Sequence, residues 1–242
     1  MSQFHIQSQL LCFAHRGGRG HGTENTLSTI ELGLSQGAYG IEIDVWNVAG
    51  SLLVTHDRRL GRVIKGEGHL LSLTAKDILS LENYDGSKVP TLLDVLHLVG
   101  NKAVLNIEVK GPNCIALVAK QLKDFCHSSG IRVENYVISS FDHQQLYWLK
   151  ENEPQFRRGV LVCNIPLDYA KCCDALGAYS FHPSIDFMNQ SLIDDAIQRH
   201  AKVFVYTVND IDDFQTLSTM GIAGVFSDYP DRVALFNQSF PE

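Results

Sequence analysis

Two segments of the chain place polar and charged side chains two residues apart. In GIEIDV they are Glu42 and Asp44, and in LNIEVK they are Asn106, Glu108 and Lys110. Because side chains alternate across a β-strand, each set shares one face and the apolar residues share the other. Carboxylates that converge repel each other and lose hydration, so they require a basic side chain or a metal cation. Their oxygens suit Mg²⁺ or Ca²⁺ better than Zn²⁺; the alternative is an ion-pair network that closes one end of the fold.

A second group of candidate residues lies in FAHRGGRGHGTENT, residues 13–26, and in THD, residues 55–57. His15 and His56 each follow an apolar run, and each alone is typical of a hydrogen-bonded structural histidine. Together, beside an acidic cluster, they indicate a general acid and a general base. The guanidinium of Arg16 is suited to hold an oxyanion. A divalent cation, two proton-transfer groups and cationic donors fit hydrolysis or transfer at a phosphoryl centre.

The elements that must position these residues are short apolar runs that alternate with helical patterns. The runs predict strands over residues 10–15, 39–46, 102–109, 135–140, 157–163, 178–182, 202–208 and 223–227. This alternation predicts parallel βαβ units, and eight such strands close a TIM-type (β/α)8 barrel. An open doubly wound sheet has the same alternation, but no GxGxxG follows a strand to favour a dinucleotide-binding fold. In a barrel, the charged faces point inward near the C-terminal mouth, where barrel enzymes keep their sites.

Most predicted strands are followed by apolar residues at helical spacing. The predicted helices carry Leu27, Ile30 and Leu34; Ile115, Val118, Leu122 and Phe125; Leu146 and Leu149; Ile193, Ala196, Ile197 and His200; and Ile211, Phe214, Leu217 and Met220. Asp142 is predicted to cap the third of these helices, and Gly37 and Gly221 to end the first and the last.

One connection is longer than the others. After Trp46, the sequence NVAG predicts a turn, and SLLVTHD, residues 51–57, predicts the returning strand of a hairpin above the barrel mouth. TAKD, residues 74–77, is similar to a capping box with Asp in place of Glu. It predicts a short helix that carries Ile78, Leu79 and Leu81. We therefore expect a small insertion between the second and third barrel strands.

The composition excludes several classes of protein. The 242 residues are 45% hydrophobic, which is enough for one sizeable core. The net charge of −7, without a long basic run, argues against binding to nucleic acid or to an anionic membrane. No stretch approaches the about 18 apolar residues of a membrane span, and residues 1–9 lack the features of a signal peptide. The six cysteines follow no CxxC spacing, so we expect reduced and mostly buried thiols in a cytoplasmic protein.

Short motifs occur in a fixed order along almost the whole chain. They are HRG (His15–Gly17), ENT (Glu24–Thr26), EIDV (Glu42–Val45), THD (Thr55–Asp57), LGRVIKGEGHLLSLT, VPTL (Val89–Leu92), NIEVK (Asn106–Lys110), SSF (Ser139–Phe141), TVN (Thr207–Asn209) and GVFSDYP (Gly224–Pro230). A single one of these motifs is weak evidence, but the ordered set at matching spacing is highly specific. By this set, the chain resembles the glycerophosphodiester phosphodiesterases.

The resemblance implies one TIM-type barrel domain over residues 1–242, with an insertion over approximately residues 47–88. It implies hydrolysis of a glycerophosphodiester, such as glycerophosphocholine or glycerophosphoethanolamine, to glycerol 3-phosphate and an alcohol. It also implies one divalent cation, Mg²⁺ or Ca²⁺, with Mn²⁺ as a further option. The implied roles are metal ligation by Glu42, Asp44 and Glu108, acid–base catalysis by His15 and His56, and phosphate binding by Arg16 and Lys110.

Aromatic residues and a histidine near strand ends are further candidates for substrate binding. Family members often carry Trp before TVN, where this chain has Tyr206, and either ring is able to form a wall of the glycerol pocket. Phe141 and His182 also fall at strand ends, with packing or loop bracing as the alternative role. Phe187 and Met188 lie on a predicted mouth loop, where an apolar lip would favour a longer alcohol.

Several alternatives stay open from the sequence. The nucleophile is either water or the substrate's own glycerol 2-hydroxyl, which would give a cyclic phosphate. The substrate is a small glycerophosphodiester or, alternatively, a lysophospholipid or another phosphodiester. An inactive phosphodiester-binding barrel would require a damaged set of site residues, and the set here is complete. Glu24 and Asn25 are interpreted as capping and bracing residues of the His15 loop, with contact to a metal or a water as the alternative.

Overall fold

The structure, a computed structural model that describes residues 8–240, contains a closed barrel of parallel strands. Its strands are β1 (Leu11–Ala14), β2 (Gly40–Val48), β4 (Val104–Val109), β5 (Tyr136–Ser140), β6 (Arg157–Val162), β7 (Ser180–Pro183), β8 (Lys202–Val205) and β9 (Gly224–Ser227). Each strand pairs in parallel with its neighbours in this order, and β9 pairs with β1 to close the ring. The predicted (β/α)8 barrel is therefore confirmed, and the open doubly wound sheet is excluded.

Helices follow the barrel strands along the chain; the second of them lies in the segment inserted after the second strand, and the last follows the final strand. They are α1 (Leu27–Ser35), α2 (Ala75–Ile78), α3 (Leu92–Val99), α4 (Ile115–Ser129), α5 (His143–Asn152), α6 (Cys172–Leu176), α7 (Gln190–Gln198), α8 (Ile211–Ser218) and α9 (Pro230–Asn237). Asp142 caps α5, as predicted, because its carboxylate accepts bonds from the backbone N–H groups of Gln144 and Gln145. The predicted apolar face of α7 is wrong at its end: Ile197 is exposed, and His200 lies beyond the helix.

The second strand forms a hairpin with β3 (Ser51–Val54), in which Val45 pairs with Val54. The hairpin confirms the predicted returning strand. After it, Thr74 and Asp77 form the predicted capping box. The helix that follows ends at Ile78, so Leu79 and Leu81, which were expected on it, lie beyond its end. Leu79 is exposed, and Leu81 packs against the small cluster described next. This inserted segment has its own small hydrophobic cluster, formed by Trp46, Val48, Leu53, Ile64 and Leu70.

The interior of the barrel is divided into an aromatic layer and a charged layer. Phe13, Phe204 and Phe226 pack together inside, with the ring of Phe13 5.1 Å from each of the other two rings. The apolar residues on the opposite faces of the strands pack against the helices in one large core. Phe13 and Phe226 lie on strands whose carboxyl ends carry charged residues. The alternation of side chains therefore directs the charged groups inward at the mouth, above the phenylalanines.

No helix within residues 8–240 combines the length and the apolar composition that a membrane crossing would need. The six cysteines are unpaired. Cys12, Cys114 and Cys173 are buried, whereas Cys163 is exposed and the other two are half-buried. Burial of the thiols is therefore less complete than the sequence interpretation expected.

Helix α1 packs closely against the turn that carries His15. A Cβ atom at Gly33 would lie 2.4 Å from the carbonyl oxygen of Gly17 and 3.1 Å from the Cβ of Ala14. We expect Gly33→Ala to lower the free energy of unfolding by about 1–3 kcal/mol through this overlap. Helix propensity alone would favour alanine over glycine by ~1 kcal/mol and would raise the free energy of unfolding. A decrease therefore indicates that the overlap outweighs propensity.

Urea unfolding followed by circular dichroism measures this effect. Glu31→Ala is the matched control, because Glu31 is exposed on the same helix and its side chain makes no hydrogen bond among the described residues. A Gly33→Ala chain as stable as the Glu31→Ala chain would contradict the close packing of α1 on the turn.

Candidate active site

Three carboxylates converge at the carboxyl ends of β2 and β4. Asp44 lies directly across from Glu108 in the strand register, and Glu42 lies one layer deeper, across from Asn106. One oxygen from each of the three carboxylates lies within 4.8 Å of the others. Glu42 and Asp44 are buried, and the side chain of Glu108 is nearly so. The alternation that the sequence predicted for these strands is therefore present in the structure.

Burial of like charges sets the protonation of this cluster. Burial, followed by repulsion from the neighbouring carboxylates, raises the pKa of Glu42 well above its usual value. Burial and the charge of Asp44 raise the pKa of Glu108 to about 7. Burial also acts to raise the pKa of Asp44, but the cations of Lys110 and Arg16 outweigh it and lower that pKa. Without a bound cation, the cluster therefore carries fewer than three negative charges at neutral pH.

Arg16 and Lys110 supply the positive charge beside the cluster. The backbone N–H of Arg16 donates to Oε2 of Glu42 at 2.7 Å, and its Nε lies 3.5 Å from Oδ2 of Asp44. The ammonium of Lys110 donates to Oε1 of Glu108 at 2.6 Å and lies 3.5 Å from Oδ1 of Asp44. Both cations therefore contact the predicted metal ligands directly.

The turn that follows β1 gives Arg16 this position. Arg16 has a φ of 52°, and Gly17 and Gly18 have φ of 85° and 98°. Three successive left-handed residues reverse the chain at the barrel mouth, and glycine adopts this conformation without steric cost. The reversal directs both the backbone N–H and the guanidinium of Arg16 toward the carboxylates.

Each candidate catalytic histidine is held at Nδ1 by a carboxylate. His15 Nδ1 lies 2.7 Å from Oδ1 of Asp228, and His56 Nδ1 lies 2.8 Å from Oδ1 of Asp57. In the neutral rings, this contact favours a proton on Nδ1 and leaves Nε2 free to accept one. Burial lowers the pKa of both histidines, although the neighbouring carboxylates oppose the effect. The hairpin brings His56 to the site, because the N–H of Thr55 donates to the carbonyl of Asp44.

A pocket opens at the barrel mouth beside these groups. The residues that line it are His15, Glu42, Asn106, Glu108, Ser139, Leu161, His182, Tyr206 and Phe226. Five of the ten predicted site residues therefore line this pocket. The other five lie around it. Arg16 and Lys110 contact the carboxylate of Asp44, and His56 lies beside that carboxylate. The ring centroid of Phe141 lies 5.8 Å from Nζ of Lys110.

Tyr206 and Phe141 form an aromatic wall at the mouth. Their rings meet edge to face with centroids 6.0 Å apart. The hydroxyl of Tyr206 donates to the carbonyl of Val162 at 2.9 Å. This bond fixes the ring across the ends of the strands, which is a role that a tryptophan at this position would not reproduce in the same way.

His182 lies deeper, on β7, and is almost completely buried. Its Nε2 lies 2.7 Å from the hydroxyl of Ser180, and burial lowers its pKa to about 3, so the ring is neutral. Its Nδ1 and the Oδ1 of Asn106 have no hydrogen-bond partner among the described residues. Both residues line the pocket, where a polar ligand or a water would satisfy them.

Glu24 and Asn25 brace the site rather than cap α1, whose cap is Thr26. Glu24 accepts a hydrogen bond from Nη1 of Arg16 at 2.9 Å. The amide of Asn25 donates to Oδ2 of Asp44 at 2.9 Å and accepts from the backbone N–H of Asp44. The capping part of the sequence interpretation is therefore wrong, and the bracing part agrees with these contacts.

Several residues of the site were missed by the sequence reasoning. Asp228 was visible in GVFSDYP and Asp57 in THD, but neither motif indicated that its carboxylate would face a histidine. Asp228 also accepts bonds from Arg19 and Asn209. Burial acts to raise its pKa, but the contacts with His15 and Arg19 outweigh burial and lower it. The adjacency of Asp57 to His56 was the one local signal available.

The contact with Asp228 makes a prediction about His15. We expect Asp228→Asn to lower the pKa of His15 further, because the carboxylate stabilises the protonated ring through its hydrogen bond and its charge. An NMR titration of the histidine rings measures the shift. Asp231→Asn is the matched control, since Asp231 holds His21 at 2.7 Å and makes no contact with His15. An unchanged or raised pKa of His15 in the Asp228→Asn chain would contradict the assignment.

Comparison with known proteins agrees with the fold and shows the family. Residues 15–232 match the model of the glycerophosphoryl diester phosphodiesterase family. A glycerophosphodiester phosphodiesterase of Caldanaerobacter subterraneus subsp. tengcongensis is 30% identical over 238 residues, which cover 92% of this chain and 96% of the relative. One from Bacillus altitudinis is 30% identical over 241 residues, with 91% and 95% covered.

A solved structure extends this likeness to three dimensions. The Oleispira antarctica phosphodiesterase, in complex with its product sn-glycerol-3-phosphate, matches with a TM-score of 0.84 and 25% identity, covering 94% of this chain and 96% of that one. The match of the family model spans nearly all of the barrel, from His15 to α9. The chain therefore belongs to the glycerophosphodiester phosphodiesterase family.

Proposed function

We propose that this protein hydrolyses small glycerophosphodiesters, such as glycerophosphocholine or glycerophosphoethanolamine, to glycerol 3-phosphate and an alcohol in a reaction that depends on a divalent cation. The observation that carries the proposal is the convergence of three carboxylates and two carboxylate-held histidines at one end of the barrel. Family membership supports the reaction class.

The carboxylate cluster fits a hard divalent cation. Glu42, Asp44 and Glu108 offer oxygen ligands within 4.8 Å of one another, and the buried Oε1 of Glu42 has no hydrogen-bond partner among the described residues. All-oxygen ligands favour Mg²⁺ or Ca²⁺, and Mn²⁺ accepts the same set. A cation held there would polarise the phosphoryl oxygens and offset the charge that develops on them.

Arg16 and Lys110 are proposed to bind the phosphate. Both lie beside the carboxylates, and both remain protonated, because their acidic neighbours raise the pKa of each above its usual value although burial opposes the effect. Guanidinium and ammonium groups donate charge-assisted hydrogen bonds to phosphate oxygens. Fixed donors of this kind stabilise the additional negative charge of the transition state.

The two histidines are proposed to move the protons. One removes a proton from the nucleophile, and the other protonates the oxygen of the leaving alcohol. The nucleophile is either water or the glycerol 2-hydroxyl, whose attack would give a cyclic phosphate that water then opens. The contacts of His15 with Asp228 and of His56 with Asp57 leave Nε2 of each ring available for this exchange. Tyr206, Phe141 and His182 are proposed to contact the glycerol part of the substrate, since the first two form the wall of the mouth and the third lines its floor.

A second candidate substrate is a lysophospholipid. The loops that leave the carboxyl ends of β5, β6 and β7 expose the apolar side chains of Phe141, Ile165, Leu167 and Phe187. Exposed apolar groups next to a catalytic mouth are able to contact an acyl chain. Faster hydrolysis of lysophosphatidylcholine than of glycerophosphocholine is the result that this candidate requires.

The cellular place of the reaction is proposed to be the cytoplasm. All six cysteines are unpaired, including the exposed Cys163, and free thiols are typical of a reducing compartment.

Release of glycerol 3-phosphate from glycerophosphocholine, followed in a coupled assay, tests the proposed function. Metal-stripped protein is expected to be inactive, and Mg²⁺, Ca²⁺ or Mn²⁺ to restore activity. Asp44→Asn is expected to weaken cation binding strongly, because it removes a charged ligand. Asp94→Asn, a change in the exposed cap of α3, is the matched control. No release with any cation from folded protein would favour the lysophospholipid or an inactive phosphodiester-binding barrel.

Calorimetry with Mn²⁺ adds a pH dependence to this test. Because the pKa of Glu108 is raised to about 7, its carboxyl must lose a proton to bind a cation at lower pH. Affinity is therefore expected to rise as the pH increases from about 6 to about 8. An affinity that is independent of pH over this range would contradict the protonated state of the cluster.

Removal of either catalytic histidine is expected to reduce the rate. His15→Ala and His56→Ala should each lower kcat on the order of 10²–10⁴-fold, because proton transfer to or from the reacting oxygen is lost. His127→Ala, an exposed histidine near the end of α4, is the matched control. Near-normal turnover in either variant would overturn the assigned roles.

A further inference from the structure

Arg62 of the inserted segment contacts two carboxylates of the site at once. Its Nε donates to Oδ2 of Asp57 at 2.5 Å. Its Nη1 donates to Oε2 of Glu24 at 3.0 Å, and its Nη2 donates to Oε1 of the same carboxylate at 2.5 Å. All three nitrogens of the guanidinium are therefore engaged with protein carboxylates.

Each of these carboxylates holds a residue of the proposed chemistry with its remaining contacts. Asp57 holds Nδ1 of His56 through Oδ1, and Glu24 accepts from Nη1 of Arg16. Arg62 therefore joins the orientation of a proton-transfer group to that of a phosphate-binding group. These two groups come from different connections of the barrel, one after β1 and the other after β3.

The backbone around Arg62 is fixed by the fold of the insertion. The N–H of Gly61 donates to the carbonyl of Ile64 at 2.8 Å, and the N–H of Tyr84 donates to the carbonyl of Val63 at 2.9 Å. Ile64 is buried in the small cluster with Trp46. Packing and backbone hydrogen bonds therefore fix the segment that carries Arg62, and the carboxylates of Asp57 and Glu24 hold its half-exposed guanidinium.

We propose that Arg62 is a positioning residue, which holds His56 through Asp57 and Arg16 through Glu24 in the orientations that phosphodiester hydrolysis requires. This inference rests on the proposed function and assigns a role to the insertion within it. Without Arg62, the carboxylate of Asp57, which is about a quarter exposed, is free to rotate and to be hydrated, and it no longer fixes the ring of His56.

Loss of Arg62 leaves the buried Glu24 with charged partners. Arg16 still donates to it at 2.9 Å, and Nη1 of Arg19 lies 3.8 Å away. Arg62 itself is half exposed, so its loss leaves no buried cavity, and its partly exposed pair with Asp57 contributes little to stability. The Arg62 variants are therefore expected to fold, and their effect to fall on the chemistry.

Steady-state kinetics of three variants test this role. Arg62→Ala is expected to lower kcat about 10–100-fold with a smaller change in KM, as is typical when a residue that orients a reacting group is lost. Arg62→Lys is expected to be intermediate, because an ammonium lacks the planar fork that spans both carboxylates. Arg59→Ala is the matched control: Arg59 lies in the same segment and contacts His69 instead. Added methylguanidinium is expected to restore part of the activity of the Arg62→Ala chain only.

The tautomer of His56 gives a second readout, which does not depend on turnover. In wild-type protein, the ¹⁵N shifts of the ring are expected to report a proton fixed on Nδ1, and in the Arg62→Ala chain a mixture of the two tautomers. The resonance is assigned by comparison with the His56→Ala chain. If the wild type hydrolyses no glycerophosphodiester, the proposed function fails, and the ring spectra still decide the role of Arg62.

Three outcomes would overturn the inference. Kinetics of the Arg62→Ala chain equal to those of the Arg59→Ala chain would show that the contacts have no role. A rise in KM with unchanged kcat would place Arg62 in contact with the substrate. An unaltered tautomer of His56 would show that Asp57 holds the ring without help.

Discussion

The burial of three carboxylates at one end of the barrel is the constraint on which the rest of the site depends. Glu42, Asp44 and Glu108 lose hydration and repel one another, and the raised pKa of two of them expresses the free energy of this arrangement. Arg16 and Lys110 offset part of the charge from within contact distance. The cluster therefore offers oxygen ligands for a cation, and Asp44 keeps its negative charge because its pKa is lowered.

The same balance of charge extends outward from the cluster. Arg16 is held by Glu24, which is held in turn by Arg62, and Arg62 reaches Asp57 beside His56. Arg16, Glu24, Arg62 and Asp57 thus form a continuous series of pairs of opposite charge beside the mouth. Fixed pairs of this kind orient the charged side chains without a ligand, which is the preorganisation that the proposed reaction would use. The inserted segment takes part in this series of ion pairs because it supplies Arg62.

Much of this arrangement followed from local patterns. The alternation in GIEIDV and LNIEVK predicted which side chains would face the barrel interior, and β2 and β4 have that alternation. The hairpin and the cap at Asp142 followed from turn and capping residues. The errors were also local: Thr26 caps α1 in place of its neighbours, and the apolar pattern of α7 continued beyond the helix.

The sequence by itself determined the periodicity of each element, the faces that carry charge and the types of side chain available for catalysis, because these depend on the covalent geometry of a few neighbouring residues. Only the tertiary structure decided which distant groups meet. Asp228 is 213 residues from His15 and contacts it because β9 pairs with β1 when the barrel closes. Arg62 reaches Glu24 because a separate hydrophobic cluster fixes the insertion over the mouth. Such pairings depend on strand register and packing across the whole chain, which no local pattern contains.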